Sequence, residues 1–228
     1  MSRYSTDTDG FSMVENFLPE QEVAELVNFA EQNLSTNGHR GGVRNLLHFL
    51  RMRSLAESGA MRALVETILG SKARAVRGIF FDKTEGANWK VPWHQDVTIA
   101  VSQKVQAEGY GAWSIKAGVL HVQPPASVLE CVVSVRLHLD DCPEENGALR
   151  VIPRSHTRGK LEEHSIQSYA EKSVPVICAM QHGGALLMRP LLLHAASASS
   201  IPGHIRVLHF DYAAAELPVG MGWAEAQS

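Results

Sequence analysis

The sequence predicts a mainly β protein in which N-terminal helices pack against a double-stranded β-helix, or jelly roll. Helical periodicity is confined to the first part of the chain, and many short strand-like segments separated by turn residues follow it. Strands in series without helices between them are typical of antiparallel double-sheet barrels. With 228 residues, 45% of them hydrophobic, the chain is long and apolar enough to form one sizeable hydrophobic core. We expect a single domain, with a strand and helices in residues 1–72 and the jelly-roll core in residues 73–228.

The N-terminal part is predicted to hold one strand and two helices. Residues 10–18 alternate weakly and predict the strand. A helix is expected from Pro19, because apolar residues then recur at helical spacing: Val23, Leu26, Val27, Ala30 and Leu34. A second helix is expected from Leu55 to Leu69, since residues 54–57 have the form of a capping box and Gly70 suits the end.

Strand signals prevail from Arg74 onward. The predicted strands are residues 75–83, a segment around His94, and residues 131–140, 148–152, 174–178, 185–189 and 204–212. Alternation in residues 131–140 separates an apolar face from a polar face that carries Ser134, Arg136 and His138. In an antiparallel sheet such a polar face either meets water or lines a cavity.

Residues 97–130 are predicted to form a long loop, because they contain several glycines and Pro124-Pro125. Loops longer than about fifteen residues in a compact domain are usually lids, binding loops or disordered segments. The aromatic and apolar content argues against disorder. We interpret the segment as a substrate lid, and a surface loop packed by its own side chains is the alternative. Its candidate substrate-binding residues are Trp113, Lys116, His121 and Gln123.

Composition limits the classes of partner. A formal net charge of −3 does not favour nucleic-acid binding, which depends on clustered basic residues. No run of about eighteen apolar residues is present, so no membrane span is expected. The cysteines, Cys131, Cys142 and Cys178, are odd in number and lack CxxC spacing. They predict reduced thiols and a cytoplasmic location.

A metal centre is the chemistry that the sequence indicates most clearly. In an extended segment, side chains at i and i+2 leave the same face, so His94 and Asp96 can converge on one ion. His194 would complete the site from elsewhere in the chain. Two imidazoles and one carboxylate on one side of a metal leave positions open, which suits non-haem Fe(II) and oxygen chemistry better than a structural zinc site.

Arg206 is the candidate partner for a bound carboxylate, because a planar guanidinium holds a carboxylate in one orientation. Residues 199–203, Ser-Ser-Ile-Pro-Gly, predict a turn between two strand-like segments. If these segments form a hairpin, His194 lies opposite Arg206.

These motifs resemble the phytanoyl-CoA dioxygenase-like family of Fe(II)- and 2-oxoglutarate-dependent oxygenases. The resemblance rests on Trp-His-Gln-Asp at 93–96, on residues 146–156 against a family pattern like NGxLxxxPGSH, and on His194 with Arg206. Together these motifs extend over roughly the last two thirds of the chain. Arg154 stands where the family usually has glycine, a difference that bears on the backbone shape of that loop.

The resemblance implies a jelly-roll fold of the cupin-like kind and three metal ligands, His94, Asp96 and His194. It also implies Fe(II), 2-oxoglutarate as cosubstrate and O2, with succinate and CO2 as products. Arg206 would bind the far carboxylate of 2-oxoglutarate. Further candidates for cosubstrate binding are Arg136 and Ser134, and Trp93 and Gln95 are expected to line the substrate pocket. Halogenating relatives carry a small residue at the position of Asp96, so this aspartate favours hydroxylation.

The leading hypothesis is therefore a 2-oxoglutarate-dependent dioxygenase that hydroxylates an unactivated C–H bond of a small molecule. The alternative is a non-catalytic jelly-roll protein or sensor that binds the metal and 2-oxoglutarate without turnover. Desaturation, cyclisation and epimerisation use the same kind of site. The sequence does not identify the substrate or the oligomeric state.

Overall fold

The structure is a computed structural model and describes residues 3–34, 42–85, 88–200 and 203–225. Its strands, in chain order, are β1 (Phe11–Val14), β2 (Val43–Arg44), β3 (Arg74–Lys83), β4 (Val91–His94), β5 (Ile99–Val101), β6 (Gly111–Lys116), β7 (Val119–Gln123), β8 (Val132–His138), β9 (Leu149–Val151), β10 (Val176–Cys178), β11 (Ala185–Met188), β12 (His194–Ala196) and β13 (Ile205–Ala213). Its α-helices are α1 (Glu20–Asn33), α2 (Leu50–Ala56), α3 (Gly59–Leu69), α4 (Ala126–Glu130) and α5 (Glu163–Glu171).

Within the described residues the strands form three antiparallel sheets. The large sheet has the order β1-β11-β8-β13-β3-β2, the second sheet β10-β9-β12-β4 and the third β5-β7-β6. The predicted fold class, mainly β with helices near the N-terminus, is confirmed. Because β1 and β2 both belong to the large sheet, the segment 1–72 contributes to the jelly roll as well as supplying helices.

The two faces of the large sheet have different neighbours. Val133, Val135 and Leu137 of β8 lie in the main apolar cluster together with buried residues of α1, α2 and α3. Arg136 and His138, which alternate with them, point to the opposite face and line a cavity. The polar face predicted for this strand therefore lines a cavity rather than meeting water.

The helices follow the sequence signals with one correction. α1 begins directly after Pro19 and buries Val23, Leu26 and Ala30. The expected single helix over residues 55–69 is instead two helices, α2 and α3. Ser58, and not Ser54, is the N-cap of α3, since its side chain accepts a hydrogen bond from the Met61 amide at 3.3 Å. The predicted capping box was therefore wrong, although Gly70 does end α3, with φ of 76°.

The region predicted as a long loop is ordered secondary structure. Residues 97–130 contain β5, β6, β7 and α4, and the three strands form their own sheet. Ala117 and Gly118, with φ of 49° and 79°, form the two-residue connection between β6 and β7. Two successive positive φ angles are typical of a tight hairpin turn that matches the twist of its strands. The loop prediction was wrong because this turn signal was not recognised.

The hairpin expected between residues 191–195 and 204–212 is also absent from the described residues. β12 pairs with β4 and β9 in the second sheet, whereas β13 pairs with β3 and β8 in the large sheet. The chain therefore crosses from one sheet of the barrel to the other between these strands. His194 and Arg206 consequently do not face each other across a strand pair.

Arg154 adopts the conformation that glycine would favour. Its φ is 65° and its ψ is 2°, in the left-handed region, and its amide donates to the Asp9 carbonyl at 2.9 Å. Ser155 follows, and its hydroxyl donates to the Ile152 carbonyl at 2.7 Å and accepts from the Leu193 amide at 2.8 Å. The loop thus keeps the backbone shape of the glycine pattern, with an arginine in a strained position.

We predict that Arg154→Gly raises the free energy of unfolding by about 1 kcal/mol, because it relieves the left-handed strain. The side chain of Arg154 is exposed, and its ion pair with Asp9 at 3.5 Å contributes little. Chemical denaturation measures the change. Arg158→Gly, at an exposed position without positive φ in the same turn, is the control and should be neutral or destabilising. A loss of stability in Arg154→Gly would contradict the prediction.

Glu225, close to the end of the chain, is a buried carboxylate that fixes two other segments. Its Oε2 accepts from the Leu47 amide at 3.0 Å and its Oε1 accepts from the Gly78 amide at 3.2 Å. A buried N–H group without an acceptor costs about 1–3 kcal/mol. The carboxylate therefore joins the C-terminal segment to the segment before α2 and to β3.

We predict that Glu225→Ala lowers the free energy of unfolding by about 2 kcal/mol, since two buried amides lose their acceptor. Thermal or urea denaturation measures this loss. Glu216→Ala removes an exposed carboxylate of the same C-terminal segment and is the control. Equal stability of the two variants would show that water replaces the carboxylate at no cost.

Candidate metal centre

Neighbouring strands of the second sheet bring the three predicted ligands together. His194 of β12 lies directly opposite His94 of β4 in the strand register, and their ring centroids are 4.1 Å apart. Asp96 follows β4 by two residues, and its amide donates to the Pro190 carbonyl at 2.8 Å. One ligand atom from each of the three residues lies within 4.8 Å of the others. The i, i+2 prediction for His94 and Asp96 and the assignment of His194 therefore agree with the geometry.

The imidazoles are oriented for a metal by backbone carbonyls. His94 Nδ1 lies 2.9 Å from the Pro92 carbonyl and His194 Nδ1 lies 2.8 Å from the Leu192 carbonyl. A carbonyl only accepts, so each Nδ1 carries the proton and each Nε2 keeps a free lone pair. The two Nε2 atoms lie 3.9 and 3.6 Å from the carboxylate oxygens of Asp96. Such spacing leaves room for one ion between the three donors.

The protonation states also suit metal binding. Burial, with a contribution from His94, lowers the pKa of His194 to about 4, so this imidazole is neutral near pH 7. Burial opposes ionisation of Asp96, but His194 and His94 nevertheless hold the pKa of its carboxyl below the ordinary value. Neutral imidazoles and a carboxylate are the forms that bind divalent metals. A two-histidine, one-carboxylate set on one side is the arrangement used by non-haem Fe(II) oxygenases.

A cavity of about 200 Å³ extends from these ligands between the two sheets. It is lined by Arg77, Phe81, Lys83, Trp89, Val91, His94, Asp96, Arg136, His138, Cys142, Gly147, Leu149, His194, Ala196, Ile205, Val207 and His209. The strand order of the large sheet places the basic members of this set on β3, β8 and β13, opposite the second sheet. The three candidate metal ligands and the basic residues thus meet across the interior of the barrel.

Unpaired polar groups in this cavity provide a site for an anion. Arg136 Nε and both ring nitrogens of His138 are buried and lack a hydrogen-bond partner among the described residues. Lys83 Nζ donates to the Ser197 carbonyl at 2.7 Å, and burial lowers its pKa. Burial, together with Arg136, lowers the pKa of His138 to about 3, so this imidazole is neutral and able to donate one hydrogen bond. Buried polar groups without partners are unfavourable unless a ligand or water satisfies them.

The prediction for Arg206 is contradicted by its geometry. The Arg206 guanidinium donates to Asp140 at 2.8 and 2.7 Å and to Glu31 of α1 at 2.8 Å. Pairing with Asp140 raises the pKa of Arg206. Its neighbours Ile205 and Val207 line the cavity, and Arg206 therefore faces the opposite, helix-covered side of the sheet. The Arg206 guanidinium does pair with carboxylates, but these belong to Asp140 and Glu31 of the protein and not to a bound cosubstrate.

Trp93 and Gln95 also do not line the cavity. Trp93 packs in an apolar cluster with residues of α5, and the Arg150 guanidinium lies 5.5 Å from its ring centroid. The Gln95 amide donates to the Gly159 and Leu191 carbonyls at 2.9 and 2.6 Å. Its carbonyl accepts from the Leu161 amide at 2.8 Å. Residues that alternate with metal ligands along an extended segment point away from the metal, and these two fix the surrounding loops instead.

The candidate substrate residues in 97–130 lie on the third sheet, outside the lining of this cavity. Trp113 packs in an apolar cluster, with Lys104 Nζ 5.5 Å from its ring centroid. Gln123 contacts Lys160, and Lys116 donates to the Thr98 hydroxyl at 3.1 Å. His121 is buried, with Nδ1 2.9 Å from the Val119 carbonyl, and burial lowers its pKa to about 4. A role for these four residues in substrate binding stays a prediction.

Ser134, a candidate for cosubstrate binding, is buried away from the cavity. Its hydroxyl donates to Asp211 at 2.7 Å, and it is not part of the cavity lining. His138, which was expected on the polar face of its strand, lines the cavity, and so do His209 and Trp89, which were not predicted to lie there. The alternation of residues 205, 207 and 209 would have identified His209 once β13 was assigned to the large sheet.

The phytanoyl-CoA dioxygenase (PhyH) family model matches residues 6–203, most of the chain. The chain belongs to the PhyH family. The family resemblance inferred from the sequence motifs is thereby confirmed, and it extends further toward the N-terminus than those motifs did. No curated protein sequence matches the chain significantly.

Solved structures of low sequence identity share the PhyH fold. The non-haem α-ketoglutarate-dependent epimerase SnoN from nogalamycin biosynthesis is 20% identical, with a TM-score of 0.65 over 91% of this chain and 78% of SnoN. The α-ketoglutarate-dependent carbocyclase SnoK is 14% identical, with a TM-score of 0.68 over 91% and 81%. HygX from Streptomyces hygroscopicus, with nickel, 2-oxoglutarate and hygromycin B bound, is 17% identical, with a TM-score of 0.66 over 91% and 84%.

No helix in the described ranges has both the length and the apolar character needed to cross a bilayer. Cys131, Cys142 and Cys178 are free cysteines in the structure. Cys142 and Cys178 are buried and Cys131 is exposed, and burial raises the pKa of Cys178 to about 12. The Cys178 thiol is therefore protonated near neutral pH.

Proposed function

We propose that this PhyH-family protein is an Fe(II)- and 2-oxoglutarate-dependent dioxygenase that hydroxylates an unactivated C–H bond of a small molecule. The observation that carries the proposal is the His94, Asp96 and His194 cluster, with both imidazoles oriented by carbonyls, beside a cavity that contains unpaired basic groups. The donor set fits Fe(II) with open coordination positions. When bound, the metal and 2-oxoglutarate supply the oxidising chemistry, and O2 is consumed with formation of succinate and CO2.

We assign the far carboxylate of 2-oxoglutarate to Arg136, in place of Arg206. Arg136 lines the cavity, its Nε lacks a partner among the residues that the structure describes, and its guanidinium carbon lies 5.6 Å from the Phe81 ring centroid. Lys83 and His138 line the same cavity and supply further donors. A dicarboxylate that bridges the metal and this basic group would satisfy the unpaired donors. The protein would thus position the cosubstrate and exclude water from it.

The test is formation of succinate from 2-oxoglutarate by the purified protein with Fe(II) under air. Slow uncoupled turnover is expected without a substrate, and faster turnover with a small molecule that the enzyme accepts. Binding of 2-oxoglutarate to the Fe(II) protein without oxygen should give a weak visible charge-transfer band. The band without succinate, across a broad substrate screen, would favour the non-catalytic sensor. Failure to bind Fe(II) would contradict both functions.

Asp96 completes the carboxylate position of the proposed metal site, which favours hydroxylation over halogenation. SnoN is an epimerase and SnoK a carbocyclase, so the fold also accommodates other outcomes of oxidation. Mass spectrometry of the product distinguishes them. A gain of one oxygen atom from 18O2 indicates hydroxylation, and loss of two hydrogens or retention of mass contradicts it.

A further inference from the structure

A line of buried polar contacts extends from Arg136 away from the metal ligands. Arg136 Nη1 lies 3.3 Å from His209 Nδ1, and His209 Nε2 lies 2.8 Å from Asp211 Oδ1. Asp211 Oδ1 also accepts from the Ser134 hydroxyl at 2.7 Å, and Oδ2 lies 3.0 Å from Arg77 Nε. Ser134, Arg136, His209 and Asp211 are neighbours in the paired strands β8 and β13. The contacts therefore depend on a strand pair that is in register over seven residues of each strand.

These contacts fix the tautomer of His209. A carboxylate only accepts, so the proton of a neutral His209 ring lies on Nε2 and is donated to Asp211. Nδ1 then has a free lone pair directed at Arg136, which only donates. Arg77 holds the pKa of Asp211 far below its ordinary value despite burial, so the carboxylate keeps its charge. Arg136 therefore donates a hydrogen bond to Nδ1 of His209, and Nε2 of His209 donates one to Asp211.

We propose that His209 and Asp211 are positioning residues that hold the Arg136 guanidinium in the orientation in which it binds the far carboxylate of 2-oxoglutarate. The inference rests on the proposed function. Within the described residues Arg136 Nε has no hydrogen-bond partner, so the hydrogen bond to His209 restrains rotation of the guanidinium beside the Phe81 ring. A restrained guanidinium loses less conformational entropy when it binds a carboxylate. Groups behind a ligand-binding residue commonly affect affinity in this way.

Asp211→Asn tests the proposal without altering the volume of the cavity. Arg77 only donates, so the amide oxygen of the introduced asparagine would face Arg77, and its NH2 group would face His209 and Ser134. His209 Nε2 would then have to accept, and the proton would move to Nδ1. An N–H group on Nδ1 would point at the N–H groups of Arg136, and the hydrogen bond between them would be lost. The substitution thus reverses the tautomer of His209, the residue in contact with Arg136, which is proposed to bind the cosubstrate.

Two measurements on the Asp211→Asn variant test the proposal. Nitrogen-15 NMR of the metal-free protein reports the tautomer of His209, and calorimetry of the Mn(II) protein without oxygen reports the affinity for 2-oxoglutarate. We expect Asp211→Asn to move the proton from Nε2 to Nδ1 and to weaken 2-oxoglutarate binding about tenfold, with the Mn(II) affinity unchanged. Asp82→Asn is the matched control, because Asp82 also pairs with a histidine, His204, at 2.8 Å but outside the cavity.

An unchanged affinity for 2-oxoglutarate in Asp211→Asn, or an unchanged tautomer, would overturn the inference while leaving the proposed function intact. Failure of the unmutated Mn(II) protein to bind 2-oxoglutarate would overturn the proposed function and the inference with it. If Asp211→Asn does not fold, two substitutions of His209 decide the question. Asparagine places an acceptor near the Nδ1 position and glutamine places a donor near Nε2. His209→Asn should therefore bind 2-oxoglutarate more tightly than His209→Gln, and the reverse or equal order would overturn the inference.

Discussion

His194→Ala is expected to abolish binding of Fe(II) and all turnover of 2-oxoglutarate. His194 supplies one of two imidazole donors, and its side chain is buried, so alanine leaves only His94 and Asp96 on that face of the site. Mutation of groups that merely support metal ligands typically costs about 10–100-fold in affinity, and removal of a ligand should cost more than about 100-fold. Anaerobic calorimetry with Fe(II) measures the affinity, and succinate formation measures the activity.

His182→Ala is the matched control, because it removes an imidazole that is exposed and pairs with Asp141 and Glu20 outside the cavity. This variant should keep the metal affinity and activity of the unmutated protein. An Fe(II) affinity of His194→Ala within about threefold of the control would be incompatible with the three-ligand site, because that change is far smaller than loss of a ligand produces.

The placement of two candidate metal ligands, His94 and Asp96, was predictable because it depends on local geometry. His94 and Asp96 share a face through the period of an extended chain, and this holds whichever strand lies beside them. His194 came from the family motif rather than from pairing, and the pairing expected for it was wrong. Its true partner strands are β4 and β9, which no local turn connects to it.

Arg206 could not be placed from the sequence because the face of a strand residue depends on register. The side-chain period of a strand is two, so a shift by one residue moves every side chain to the other face. In a hairpin the turn would have set the face of Arg206 relative to His194. Since β12 and β13 belong to different sheets, this rule does not apply, and Ile205, Val207 and His209 face the cavity instead.

In residues 97–130, by contrast, a local turn signal was present in the sequence but was outweighed by residues that favour a loop. Glycines and Pro124-Pro125 favoured a loop, while the Ala117-Gly118 turn between two short alternating segments produces a hairpin. Helix α5 was not predicted either, although Ile166 and Ala170 lie at helical spacing and pack against the second sheet near Trp93. The β6–β7 hairpin and helix α5 are both short, and their stability depends on tertiary packing that the sequence alone does not show.

Arg136→Ala is expected to weaken binding of 2-oxoglutarate about 100-fold while Arg206→Ala leaves it within about twofold. Loss of one partner of a buried, hydrogen-bonded charge pair costs about 2–5 kcal/mol, which corresponds to about 30-fold or more in affinity. The side chain of Arg206 instead joins α1 to the sheet through Glu31 and Asp140, so its removal should lower the free energy of unfolding by about 1–3 kcal/mol.

The pair of variants separates two roles of arginine in one experiment. Calorimetry of the Mn(II) protein without oxygen gives the affinity for 2-oxoglutarate, and urea denaturation gives the stability of each variant. Arg136→Lys keeps the charge but not the planar fork, so its affinity should lie between those of Arg136→Ala and the unmutated protein. A 100-fold loss in Arg206→Ala with unchanged binding in Arg136→Ala would show that Arg206, and not Arg136, binds the far carboxylate. That result would require β13 to shift by one residue against β3 and β8, which would also remove His209 from the cavity.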